Sequence, residues 1–157
     1  MNTLNLDLRK EIDLLVIDID SFDYEIIKEI LLGGILPKVF VVEYNPNFPV
    51  DEVYYVTYQQ FNDEINNKRI YGASFVALKN WLESFGYSLV HISGFCNLIF
   101  LREENKARFT TPNFSLDITD SDEKVMRYAE TYCTEGFVPS WLMFPPLTEN
   151  DVRQFRH

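Results

Sequence analysis

Two short acidic groups, Asp18-Ile19-Asp20 and Glu43-Tyr44-Asn45, each close an apolar run, and they are the residues here best suited to chemistry. Two residues apart on an extended strand, Asp18 and Asp20 point the same way, so their carboxylates can converge on one site. Like charges held close raise each other's pKa unless a cation, a donor or water compensates. Such a pair therefore suits proton transfer or the holding of a ligand, and magnesium is chemically compatible because hard cations favour carboxylates. The plainer alternative is that Asp20 and Asp23 decorate a helix start and Glu43 is solvated at a strand end.

The elements that must position these groups are legible around them. Leu14-Leu15-Val16-Ile17 has the unbroken apolar character of a central parallel strand buried on both faces. Ser21 is a good N-cap, and Asp23 and Glu25 suit the first turn of a helix. Phe22, Ile26, Ile27, Ile30 and Leu31 form its apolar stripe, and Gly33-Gly34 ends it. A second run, Val39-Phe40-Val41-Val42, then completes a βαβ unit, whose right-handed crossover places Asp18, Asp20, Glu43 and Asn45 at one carboxyl edge of the sheet. In open α/β sheets ligands bind at that edge.

Residues 46 to 70 have no sustained period but carry Tyr54, Tyr55, Tyr58 and Phe61, which reads as a lid or binding loop. Ser74 caps a helix with Phe75, Leu78, Trp81, Leu82 and Phe85 on one face and Gly86 as its stop. Tyr87 to Ile92 and Cys96 to Leu101 lie too close in sequence for a parallel crossover, so they form an antiparallel hairpin. The charged stretch Glu103, Glu104, Lys106, Arg108 marks a boundary, with an α/β domain over 1–104 and a mostly helical or irregular extension over 105–157. Within that extension a helix is expected from Asp120 or Ser121 to Cys133. An apolar strap through Phe137, Trp141, Met143 and Phe144 follows, and Thr148 caps a short helix reaching Phe155.

The chain has 157 residues and a formal net charge of -10, which fits one domain and disfavours phosphate-backbone binding, so no nucleic acid is expected. The apolar stretches are strand-sized, the N-terminal segment does not read as a signal peptide, and no membrane association is expected. Cys96 and Cys133 make no metal spacing and read as reduced thiols, which gives a cytoplasmic expectation. His91 sits in an apolar strand and reads as structural, and Gly33-Gly34 follows a helix where a phosphate cradle would follow a strand. A D-x-D after a strand also occurs in haloacid-dehalogenase-type phosphatases and in glycosyltransferases, but the residues after Asp20 do not fit the phosphatase pattern.

Taken in order, Ile12 to Asp20, Val41-Val42-Glu43-Tyr44-Asn45, Tyr71-Gly72-Ala73-Ser74, Gly86-Tyr87-Ser88-Leu89-Val90 and Asn97 to Arg102 resemble the C-terminal half of FkbM-type methyltransferases over about residues 11 to 104. The resemblance implies a partial Rossmann-like α/β sheet, in which parallel strands four and five precede a helix and the antiparallel six-seven hairpin. It implies O-methyl transfer with S-adenosylmethionine as cofactor, with Asp18, Asp20 and Glu43 as catalytic residues and Asn45, Tyr44, Tyr71 and Ser74 as substrate-binding residues for a small-molecule acceptor. The family's donor pocket lies on a glycine-rich turn after strand one and an acidic residue ending strand two. Neither has a counterpart here, so no residue is assigned to the cofactor and none as a metal ligand. The family's Glu-Gly after the strand-four Asp is Asp20-Ser21.

The expected function is that of a truncated or split FkbM-like domain with an acidic acceptor edge. A non-catalytic binding or oligomerisation module and a divalent-metal-dependent hydrolase are the alternatives. An unpaired edge of the first strand invites association, so a homo-oligomer, a complementing chain or the C-terminal strap is expected against it.

Overall fold

The computed structural model describes residues 12–49, 51–63, 70–93, 96–109 and 147–157. The helix expected from 120 to 133, Cys133 and the strap from Phe137 to Phe144 lie outside these residues. Among them four strands form one mixed sheet: β1 (Leu14–Ile17), β2 (Val39–Glu43), β3 (Tyr87–Ser93) and β4 (Asn97–Arg102), in the order β1-β2-β4-β3. β1 and β2 are parallel with Leu14 opposite Val39, as the βαβ spacing requires, and β4 is antiparallel to both β2 and β3. The helices are α1 (Asp23–Leu32), α2 (Tyr58–Asp63), α3 (Phe75–Ser84), α4 (Lys106–Phe109) and α5 (Glu149–Val152). None of the described helices is long and apolar enough to cross a membrane.

Strand alternation explains where the core lies. Phe40, Val42, Leu98, Phe100, Leu89 and Ile17 project to one face, where Ile27 and Leu31 of α1 and Phe75, Leu78 and Leu82 of α3 cover them. Removing side chains of this size from water contributes ~1.5–3 kcal/mol each and is what holds the two helices on the sheet. The other face differs from expectation. Instead of a central strand buried on both sides, β1 is at the edge of the sheet, and Leu14 and Val16 are 55% and 54% exposed. An apolar run predicts burial but cannot say whether the covering layer is among the same residues.

The start of α1 also departs from the sequence reading. Its N-cap is Phe22, with no side-chain cap bond, and Ser21 stands one residue outside. Asp23 takes over the work: its buried carboxylate accepts the N–H of Ile19 at 2.9 Å and of Ser21 at 3.0 Å, fixing the turn that carries Asp20. At the other end Gly34, at φ +80°, adopts the left-handed backbone that terminates the helix. Within the stripe Ile27 and Leu31 are buried, Tyr24 joins them, and Ile26 and Ile30 are half-buried.

Ser74 caps α3 as expected, and its hydroxyl does more. It accepts from the Ala77 N–H and from the Tyr54 N–H at 3.1 Å, and donates to the Glu52 carbonyl at 2.7 Å. Ser74→Ala removes the cap and leaves the buried Tyr54 N–H without a side-chain acceptor. We expect a loss of about 1–2 kcal/mol, read from the midpoint of urea unfolding.

The segment after residue 46 is built into the structure more firmly than a lid. Tyr54 and Tyr55 form isolated bridges with Arg156 and Ala73, and α2 follows. Phe48, Tyr54, Val56 and Ile70 make a second apolar cluster with Val152 and Phe155. The last described residues thus pack on the body, and Arg156 pairs with Glu52 at 3.0 Å. Thr148 begins α5 as expected, where the Asp151 carboxylate accepts both its N–H and its hydroxyl at 2.7 Å.

Candidate functional site

β1 ends at Ile17, so Asp18 and Asp20 lie beyond the strand and alternation does not bring them together. The turn does. Asp20 is the one non-glycine among the described residues with positive φ, at +53°, a conformation that aspartate tolerates better than most residues. The Ser21 carbonyl behind it accepts the N–H of Gly72, whose own φ is +60°, so the loop carrying Tyr71 is tied to the loop carrying Asp20. With Glu43 supplied by the end of β2, one carboxylate oxygen from each of Asp18, Asp20 and Glu43 lies within 4.8 Å of the others. The βαβ expectation that these three meet at one carboxyl edge therefore holds, by a route that the D-x-D spacing did not reveal.

The electrostatics follow from this crowding. Burial, and then the charge of Asp18, push the Glu43 carboxyl up to about 8. Asp20 is raised by partial burial and then by Asp18 and Asp23. Among the described residues no lysine or arginine forms an ion pair with any of the three.

Two further side chains border the cluster. Cys96, just before β4, hydrogen-bonds Glu43, and burial with the nearby Glu43 charge pushes its thiol up to about 12. It is a neutral donor rather than a nucleophile. Sequence reading took Cys96 only as a reduced thiol; the observed pairing of Glu43 with Asn97 is what puts residue 96 beside the acidic edge. Tyr71 is raised mainly by burial and next by the charges of Glu43 and Asp20, so it keeps its proton.

The remaining expected site residues are supports. Asn45 is 1% exposed: its amide donates to the Tyr71 carbonyl at 2.9 Å and its oxygen accepts from the backbone and side chain of Asn47. Tyr44 is buried edge-on against Phe75, and Ser74 is buried at the start of α3. The structure thus gathers Asp18, Asp20, Glu43 and Tyr71 at one place and sets Asn45 beneath them. Tyr44 and Ser74 lie in the core. His91, read as a structural residue of an apolar strand, is exposed beside a register shift in β3.

No family model, curated protein or solved structure matches this chain. What the site can do rests on its own chemistry. A carboxyl poised near 8 is matched to proton transfer at neutral pH far better than an ordinary glutamate. Three clustered carboxylates also make a negative patch that favours a cation or a hydroxyl donor.

An aromatic group forms at the start of α1. Phe22 packs edge-on against Tyr58 at 5.0 Å and against Phe61 at 5.9 Å. Tyr58 and Ile19 are among the exposed large apolar residues.

Proposed function

We propose that this chain forms the acceptor side of an FkbM-like, S-adenosylmethionine-dependent O-methyltransferase. The observation that carries the reading is the convergence of Asp18, Asp20 and Glu43 at the carboxyl ends of two parallel strands. The order of elements supports it: two parallel strands joined by a helix, then a helix and an antiparallel hairpin, as the resemblance implies. Glu43 takes up the proton of an acceptor hydroxyl, and Asp20 orients that hydroxyl. Asn45 acts through Tyr71, holding the loop in place by its bond to the Tyr71 carbonyl.

The bound cofactor would supply an electrophilic methyl group. A glycine-rich turn following a strand has no counterpart among the described residues, so none is assigned to the donor. Calorimetry with S-adenosylmethionine tests whether this chain transfers methyl groups unaided: we expect no binding heat, and micromolar affinity would give the donor a site on this chain. The acceptor reading has its own test. In an NMR titration with a panel of sugars and phenols, we expect the amides of Ile19, Asp20 and Tyr44 to shift, and a panel that leaves all three unmoved overturns it.

One observation favours a second reading, a non-catalytic binding or oligomerisation module. Among the described residues no strand pairs with the outer edge of β1, and Leu14 and Val16 face solvent beside it. Unpaired apolar edges associate. On this reading a second copy or a complementing chain covers β1, and Val16→Lys lowers the mass found by sedimentation equilibrium.

A further inference from the structure

We infer that the second face of the sheet is a docking surface for this chain's own residues 110–146, with the stretch 120–133 seated over β1 and β2. The inference concerns the face of the sheet, and it depends neither on methyl transfer nor on pairing at the outer edge of β1. Three things carry it: the make-up of that face, the places where the chain leaves and rejoins the sheet, and the sequence pattern between them.

Strand alternation sends Leu14 and Val16 of β1, Val39 and Val41 of β2 and Ile99 of β4 to the side opposite α1 and α3. The register makes them contiguous, with Leu14 beside Val39, Val16 beside Val41, and Val41 beside Ile99. None of the five is buried: Leu14 and Val16 are more than half exposed, and the other three are half-buried. A sheet that leaves one face to water carries polar residues there, whereas the sheet of a βαβ fold is covered on both sides. A contiguous apolar face therefore calls for a covering layer.

The ends of the described chain say where that layer comes from. After β4 the chain turns onto this face: Leu101, which projects to it, is 2% exposed, and Lys106 at the start of α4 donates to the hydroxyl of Ser88, the cross-strand neighbour of Leu101, at 3.4 Å. This is the amino end of the parallel strands, since the Arg102 N–H donates to the Lys38 carbonyl just ahead of β2. The next described residues after Phe109 begin at Leu147, which packs with Phe48 and Tyr54 beyond the carboxyl end of β2. Residues 110–146 thus connect one end of the sheet to the other. The first face is already taken by α1 and α3, which leaves the second as their route.

The sequence between those ends has the matching pattern. Val125, Tyr128, Ala129 and Tyr132 stand at i, i+3, i+4 and i+7, with Glu123, Arg127 and Glu130 on the opposite side. A helix over 120–133, as the sequence predicts, is about 20 Å long and ~10 Å wide, and strands lie ~4.8 Å apart, so one such helix covers two strands along their length. β1 and β2 carry four of the five uncovered side chains.

The test uses the unmodified full chain with labelled methyl groups. Nuclear Overhauser contacts should connect the methyls of Val41 and Ile99 to the ring protons of Tyr128 and Tyr132. A filtered experiment on mixed labelled and unlabelled copies should lack these contacts, because the layer belongs to the same chain. Tyr132→Asp should at least double the relaxation of the Val16 and Val41 methyls by a soluble gadolinium chelate, while the methyls of Val42 and Leu98, fully buried under the helices, stay protected and report that the fold is intact. The contacts in the unmodified protein decide the question without any variant. Contacts that survive in the filtered experiment would give the face to a second copy, and contacts only to rings outside 110–146 would give it to another part of the chain. Val16 and Val41 methyls already fully relaxed by the chelate in the unmodified protein would leave the face bare. Each of these three results overturns the inference.

Discussion

Replacing Asn45 by alanine should lower the free energy of unfolding by about 3 kcal/mol, the largest effect expected at the site. The side chain is buried, and its hydrogen bonds include one to the Tyr71 carbonyl, one from the Asn47 N–H and one from the Asn47 amide, each at 2.9 Å. Each is worth about 1 kcal/mol net, but the larger cost is the Tyr71 carbonyl left without this donor in a buried place. The backbone bond from the Asn45 N–H to the Ala73 carbonyl survives the substitution, so the strand end should persist while the 71–74 loop loosens. Urea unfolding should show a lower midpoint with an unchanged slope, and the melting temperature should fall by about 6–12 °C. A change under about 1 kcal/mol would mean that these bonds do not fasten the loop.

The second large effect has the opposite sign. Glu43→Gln should stabilise the protein, and only above a certain pH. The Glu43 carboxyl is raised from 4.5 to about 8 by burial and by Asp18. Between those values the unfolded chain releases this proton and the folded chain holds it. The group's contribution to stability is therefore fully present below pH 4.5 and is lost progressively as pH rises through 8. Glutamine keeps the shape and the donor of the protonated acid and does not ionise. At pH 8.5 the variant should be more stable by about 1–2 kcal/mol, a figure discounted for the solvent that still reaches the carboxyl. At pH 4 the two proteins should melt together. A pH–stability curve with the same slope in both proteins between pH 5 and 8 would assign the charge repulsion to other groups.

The sheet and its connections were legible in the sequence because each depends on short-range rules. The apolar run Val39 to Val42, the Gly33-Gly34 stop, the Ser74 cap and the short link before Cys96 each fix local geometry, and the structure keeps all of them. Two features escaped. The burial of β1 depends on what covers its outer side, which no local pattern reports, and Leu14 and Val16 are exposed. The turn that presents Asp20 depends on a buried aspartate four residues from Ile19 and on a glycine fifty residues away. Asp23 looked like a dipole-compensating residue of a first helical turn. Only the folded chain shows that it shapes the neighbouring acid.

The site residues divide in the same way. Asp18, Asp20 and Glu43 were identifiable from residue type and strand ends, which is enough to bring them to one edge. That Asn45 serves as a strut, and that the Ser74 hydroxyl also holds the Tyr54 N–H, was not identifiable, because a polar side chain at a strand end or helix start looks alike whether it faces a ligand or a distant backbone amide. Tyr54 and Tyr55 were read as part of a lid or binding loop for the same reason. Their partners, Arg156 and Phe155 among them, are about a hundred residues away.

That last separation has a consequence in time. The Glu52 carboxylate meets Arg156 across 104 residues, and Tyr55 receives its backbone acceptor from Phe155. During synthesis the sheet and its two helices can assemble once β4 has emerged, but the 48–56 segment gains its apolar cover only when Val152 and Phe155 follow. Contacts so distant in sequence close slowly. The acidic edge is therefore assembled early and its flank late, and a nascent chain should present a folded sheet with an open side until Val152 and Phe155 arrive.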